Sequence, residues 1–369
     1  MSFDPENVNL TSADPAEVVC YLQLGSNEYD GRLGQRVAAL FVILVVSTAG
    51  TFFPVIAVKM PKLRIPHYVY LFARYFGAGV IIATAFVHLM DPAYGEIGPD
   101  SCVGMTGNWA SYSWPPAIIL VSVMSIFLMD FAAERYVAKK YDLHHEPQCS
   151  HDGIEGAITT GHGHLHSADQ EVQDAPKDTV DSYYPTESLD KDSIAQEKEA
   201  MAVERSFRQQ IAAFLILEFG VIFHSVIIGL TLGTAGDEFS TLFPVIVFHQ
   251  TFEGLGIGAR LSTIPLPPSF KWLPWVLCAA YGLTTPIAIA VGLGVRHTYS
   301  DSTFTANIVS GVLDSISAGI LIYTGLVELL ARDFLFNSNR MNDSNGRLTF
   351  MIVCTLLGAG VMALLGKWA

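Results

Sequence analysis

The chain has 369 residues, of which 51% are hydrophobic and only 15% charged, with a net charge of −14. An ordinary soluble domain carries about 25% charge, and a mean hydropathy of +0.38 leaves too little polar surface to cover a water-soluble particle, so membrane helices are expected. The acidity excludes a nucleic-acid partner, which needs a basic face, and five cysteines without a CxxC pair exclude a disulfide scaffold.

In chain order, residues 1–34 form a polar tail with six acids and one arginine. It has no basic segment leading into an apolar core, so no cleaved signal peptide is expected. Asn9-Leu10-Thr11 is a glycosylation sequon, usable if the tail is extracytoplasmic. Eight apolar runs follow, near 35–58, 68–90, 115–137, 209–233, 241–261, 272–295, 304–327 and 347–366. Each reaches the roughly 20 helical residues that span a 30 Å hydrocarbon core. The expectation is an all-α membrane protein with eight transmembrane helices.

Between the third and fourth runs lies a long loop, 138–208, with 15 Asp and Glu against 7 Lys and Arg. Few large apolar residues interrupt it, and disorder is expected. The chain thus divides into an acidic tail (1–34), helices 1–3 (35–137), the loop (138–208) and helices 4–8 (209–369). With eight spans, both termini share a side. The loops on the opposite side, with their flanks, hold 16 of the 21 Lys and Arg. The positive-inside rule then puts both termini outside the cell and the 138–208 loop in the cytosol.

Ionisable residues at membrane depth are costly and mark function. The fifth run reads LFPVIVFHQTFEGLGIGAR, with His249 and Glu253 four apart and therefore on one helix face. The fourth reads ILEFGVIFHSVIIGLTLG, with His224 just past mid-span. Two imidazoles and a carboxylate suit a borderline divalent cation such as Zn²⁺. The bland alternative is a His–Glu hydrogen bond that pins two helices. HQxxE is not HExxH, which disfavours a membrane metalloprotease. His88 and Asp91 stand at the expected outer end of the second span, either as a cation entrance or as an interfacial histidine and a helix-stopping Asp-Pro pair. Glu218, Asp130, Glu134 and Glu328 lie toward the inner ends of their spans and could line an exit path, and Asp314, in the seventh, needs a partner or a water-filled cavity.

The loop carries His144, His145, Cys149, His151, His162, His164 and His166, a flexible set able to take Zn²⁺, Ni²⁺ or Cu²⁺. Cys20 and Cys102 fall on the outer side, where a disulfide is allowed, but spacing does not pair them. Gly292-Leu293-Gly294 is no nucleotide loop, and no Walker A sequence supports ATP-driven transport.

The motifs FVHLMDPAY, HSVIIGLTLG, HQTFEGLGIGARL and SISAGILIYTGLVELLARDFLF, in this order and with a His-rich loop before the second, resemble the ZIP (Zrt/Irt-like) metal transporters, in particular fungal plasma-membrane zinc-uptake members. The match covers nearly all of 35–369. It implies the eight-helix ZIP fold and import of Zn²⁺, with Fe²⁺ or Mn²⁺ as further cargo, and no organic cofactor or enzymatic activity. It implies a metal site at His224, His249 and Glu253, an entrance at His88 and Asp91, and regulation through the loop histidines. Ser225, Ile228 and Gln250 stand where binuclear members have Asn and acids, so one main site is expected, with Ser225 and Gln250 as secondary contacts. Partners are then divalent ions and lipid, with a homodimer and regulatory proteins at the cytosolic loop left open. The competing classes are a membrane metal sensor or receptor and a metal-dependent intramembrane hydrolase.

Overall fold

The computed structural model describes residues 13–25, 31–60, 66–141, 191–296, 303–336 and 344–367. Asn9 and the loop histidines and cysteine, from His144 to His166, lie outside the described residues. Among the described residues there are nine helices, two isolated turns of 3₁₀ helix and no strand.

A short helix α1 (Pro15–Gln23) opens on Asp14, whose carboxylate accepts the Ala16 N–H at 3.0 Å. The long helices are α2 (Leu33–Lys59), α3 (His67–Ile97), α4 (Trp114–Tyr141), α5 (Lys191–Thr234), α6 (Phe239–Ser262), α7 (Leu273–Val295), α8 (Phe304–Leu335) and α9 (Asn345–Leu365). They match the eight expected spans.

Seven of these eight are long and apolar enough to cross a membrane. The exception is α6, which at 24 residues is long enough, about 36 Å, but carries His249, Gln250, Glu253 and Arg260. Its polar side chains turn inward: His249, Gln250 and Glu253 are buried while the neighbouring Phe248 is exposed. The helix packs on α2 and α3, and α5 packs on α7 and α8. Phe41, Val45, Leu120, Val121, Leu128, Ile287 and Leu356 point outward. Apolar side chains facing out and carboxylates and imidazoles facing in is the pattern of a bundle solvated by lipid.

Three elements depart from the sequence expectation. First, α3 runs through Asp91-Pro92 to Ile97 instead of stopping there. Residues Thr84–Met90 form a π-helical stretch, and the Asp91 N–H reaches back to the Phe86 carbonyl. That wider turn lets a helix accommodate a proline, which has no N–H to give. Second, α8 extends past its apolar run as a π segment, Thr324–Leu335. Third, α5 begins at Lys191, inside the expected loop. Its first turns read KDSIAQEKEAMAVERSF, rich in strong helix formers, and Glu204 and Arg208 pair at i, i+4 at 2.8 Å.

Backbones approach closely where α3 crosses α6. A Cβ added at Gly77 would sit 2.1 Å from the Gly256 Cα. The absence of side chains there brings α3 against α6 one turn from Glu253. At the other end of the bundle, Arg36 of α2 is fully buried and donates to the carbonyls of Leu232, Gly233 and Ala235. A cation at these last carbonyls of α5 satisfies them and complements the helix dipole. Cys20 and Cys102 form a disulfide, which joins α1 to the turn after α3. The Cys102 N–H donates to the Gln23 side chain at 2.6 Å beside it.

Candidate metal site

Three helices bring imidazoles together in the middle of the bundle. His88 stands in the π turn of α3, His224 on α5 and His249 on α6. The His88 and His249 ring centroids are 5.2 Å apart and nearly perpendicular. The His224 and His249 centroids are also 5.2 Å apart. His249 Nε2 lies 3.4 Å from Glu253 Oε2, one helical turn on. The Tyr281 hydroxyl of α7 donates to that same oxygen at 3.2 Å and to the Gln250 carbonyl at 3.0 Å. Tyr281 thereby orients the carboxylate and leaves Oε1 free.

Burial of these polar groups is nearly complete. His224, His249 and Glu253 are at most 2% exposed. Among the described residues, the Nε2 atoms of all three histidines, Glu253 Oε1, Ser225 Oγ and both amide atoms of Gln250 have no hydrogen-bond partner. An unpaired buried polar atom costs about 1–3 kcal/mol, and so many in one place call for a ligand or water. The cluster is loose, however. Among the described residues no three or more His, Cys, Asp or Glu side chains converge tightly enough to enclose an ion as they stand.

The histidines form the floor of a cavity of about 240 Å³. Its walls carry Asp91 and Glu96 from α3 and Asp314 from α8, and Gly366 at the end of α9 reaches its rim. The cavity therefore faces the side of the bundle where the chain ends lie. Asp91 is exposed at its mouth and Asp314 is 3% exposed within it.

Toward the other side the bundle is closed by ion pairs. Arg74 of α3 meets Asp333 of α8 at 2.8 Å, and the Tyr75 hydroxyl donates to Asp333 at 2.7 Å. Arg260 of α6 stands 3.6 Å from Glu328. Arg332 reaches Glu328 at 3.1 Å, Asp130 at 3.2 Å and Glu134 at 2.5 Å. The Tyr323 hydroxyl donates to Asp130 at 2.9 Å. The void among Arg74, Tyr75, Arg260 and Asp333 is only about 10 Å³, scarcely room for one water.

The family model described as ZIP zinc transporter matches residues 33–366. The chain belongs to the ZIP family. It is 55% identical to Zinc-regulated transporter 1 of Saccharomyces cerevisiae, in an alignment covering 100% of this chain and 97% of that protein. It is 44% identical to Zinc-regulated transporter 1 of Schizosaccharomyces pombe, over 93% of this chain and 87% of the relative. Identity to Zinc-regulated transporter 2 of Saccharomyces cerevisiae is 36%, over 98% and 100%. No solved structure matches the chain. As a ZIP protein it is a multi-pass membrane transporter and not an enzyme, which removes the hydrolase reading.

In this ZIP bundle the residues anticipated from sequence fall into three places. His224, His249 and Glu253 cluster as a set, and His88 joins them by its ring contact with His249 while Asp91 stays at the mouth. Asp130, Glu134 and Glu328 are bound up in arginine pairs on the closed side. Glu218 is buried with both carboxyl oxygens unpartnered, and it does not line the cavity. Sequence reasoning missed Glu96, Tyr281 and the partners Arg74, Arg260, Arg332 and Asp333. The signal for Arg74 was present, since a lone arginine inside an apolar run demands a buried acid. Nothing local marks Tyr281, whose role depends on α7 facing α6.

Proposed function

We propose that this chain imports Zn²⁺ across the plasma membrane into the cytosol, with both termini outside. The observation that carries the reading is the cluster of unpartnered imidazole nitrogens at the floor of a cavity on the side of the chain ends, with the Glu253 carboxylate against His249. The zinc in its relatives' names fits that donor set, because imidazole nitrogen and carboxylate oxygen are ordinary zinc ligands. The orientation is supported by the lysine and arginine bias of the opposite loops. It is supported again by the Cys20–Cys102 disulfide on the side assigned to the exterior, where disulfides persist.

In this reading the ion enters past Asp91 and loses water as His224, His249 and Glu253 turn toward it. His88 hands it inward through its contact with His249. Ser225 and Gln250 contribute secondary oxygens. The ion-paired layer on the cytosolic side is shut in this conformation, so release requires those pairs to part while the outer cavity closes, as in alternating access. Asp130, Glu134 and Glu328 then become the exit carboxylates, and Glu218 lies between the two levels. Three firm protein ligands hold the ion without caging it, since a closed four-ligand zinc site would be structural. The loop histidines and Cys149 serve as a cytosolic zinc sensor, and 138–208 as a regulatory segment between two membrane units. Fe²⁺ and Mn²⁺ are carried less well than Zn²⁺, because imidazole favours the later metal of the series.

Radiozinc uptake in cells stripped of their own importers tests this. His249→Ala and Glu253→Ala, present at wild-type surface levels, should each lower uptake by about 100-fold. Undiminished uptake would sink the site. Competition by Fe²⁺ and Mn²⁺ in the same assay measures selectivity. Deleting 144–166 should spare uptake and blunt its repression by zinc, and total loss of activity would refute the sensor role.

A further inference from the structure

One pair of acids in the cavity is not used by the site above. Glu96, near the end of α3, and Asp314, in the first half of α8, line the same cavity. Their helices touch: a Cβ placed at Gly311, one turn before Asp314, would stand 3.2 Å from the Glu96 Cβ. The two carboxyls are near enough to interact electrostatically. Asp314 is 3% exposed, and its Oδ1 is buried without a partner, as is Glu96 Oε2. Among the described residues, no arginine or lysine lines this cavity. Two adjacent carboxyls without a basic partner hold either a proton or a cation. The Asp314 side chain, 3% exposed and with Oδ1 unpaired, lines a space large enough for several waters, which is what a hydrated cation requires and a dry helix pin does not.

We infer that Glu96 and Asp314 form an outer station for a divalent cation, one step before the imidazole cluster. The inference rests on the import reading above. Carboxylate oxygens are hard donors that accept an ion with much of its water still attached. Imidazoles replace that water further in. The two levels thus order dehydration along the path: oxygen first, nitrogen second. An ion at the outer station is concentrated at the mouth, so the station governs capture of dilute zinc and has less bearing on the maximal rate.

The test compares the full chain with a Glu96→Gln, Asp314→Asn double variant. The carboxamides keep the shape and hydrogen-bonding capacity of the pair, so a purely structural pin survives while a cation site does not. Equilibrium dialysis with Zn²⁺ on the purified proteins should find one ion fewer per chain in the double variant. The loop histidines are present in both proteins and drop out of the difference. In cells the KM for radiozinc uptake should rise about tenfold, with a smaller change in maximal rate. A Glu96→Asp, Asp314→Glu swap should retain the ion. Equal ion counts and equal KM in wild type and double variant overturn the station. A separate His249→Ala, Glu253→Ala chain keeps the two failures apart. If it loses uptake while the carboxamide variant matches wild type, only the station is wrong. If it transports normally while the carboxamide variant loses an ion, the inner site is wrong and the station stands.

Discussion

The two halves of the bundle are built from similar residues and do opposite things. On the side of the chain ends, three carboxylates and three histidines line a cavity of about 240 Å³, and many of their polar atoms have no partner. On the other side, four carboxylates are matched by three arginines, and the void that remains is about 10 Å³. What differs is pairing. Acids without cations hold water and attract ions, whereas acids with arginines hold helices together. A carboxylate inside a membrane therefore carries no function by itself; its nearest cation decides whether it is a ligand or a latch.

The contrast can be broken most forcefully at the latch. Arg74→Met leaves Asp333, 6% exposed, without its guanidinium, which costs about 3–5 kcal/mol for a buried pair. We expect a clearly lower melting temperature in detergent and less protein at the cell surface. Adding Asp333→Leu to Arg74→Met should recover much of that stability, because a buried pair replaced by apolar groups is often neutral. A single variant as stable as wild type would show that the ion pair does not hold the closed side together.

A smaller effect is expected at the floor of the open half. Tyr281→Phe removes the hydroxyl that donates to Glu253 Oε2 and so leaves the carboxylate less firmly oriented. The KM for radiozinc uptake should rise several-fold while surface expression stays at the wild-type level. An unchanged KM would show that Glu253 needs no support from α7. The smallest effect belongs to the α1 attachment. Cys20→Ser frees that helix from the turn after α3 but removes no cavity-lining residue. Uptake at saturating zinc should change less than twofold while α1 becomes accessible to protease. Loss of most uptake would give the disulfide a part in the pathway.

Much of the architecture was legible because a membrane imposes one rule on every residue of a span. Runs of about 20 apolar residues mark helices wherever they occur, and α2, α4, α5, α7 and α9 announce themselves this way. Even α6, the least apolar, was readable from its flanks and from the i, i+4 spacing of His249 and Glu253. The ends of α3 and α8 were not. Their π segments carry both helices beyond their apolar runs. A proline normally reads as a stop, and only the packing around His88 shows it was accommodated.

The sequence by itself determined the composition of the site: which residues at membrane depth can ionise or ligate, and that His224, His249 and Glu253 include a pair on one face. This follows because burial of such groups in lipid is costly and their presence is never neutral. Only the tertiary structure decided which of them meet. His88 could be placed at a mouth by its position in the chain, yet it touches His249 because α3 crosses α6 at Gly77 and Gly256. Asp314 and Glu328 look alike along α8, but one faces Glu96 across a cavity and the other faces Arg260 and Arg332. Such pairings join residues hundreds of positions apart, and the period of a helix carries no information about what stands opposite it.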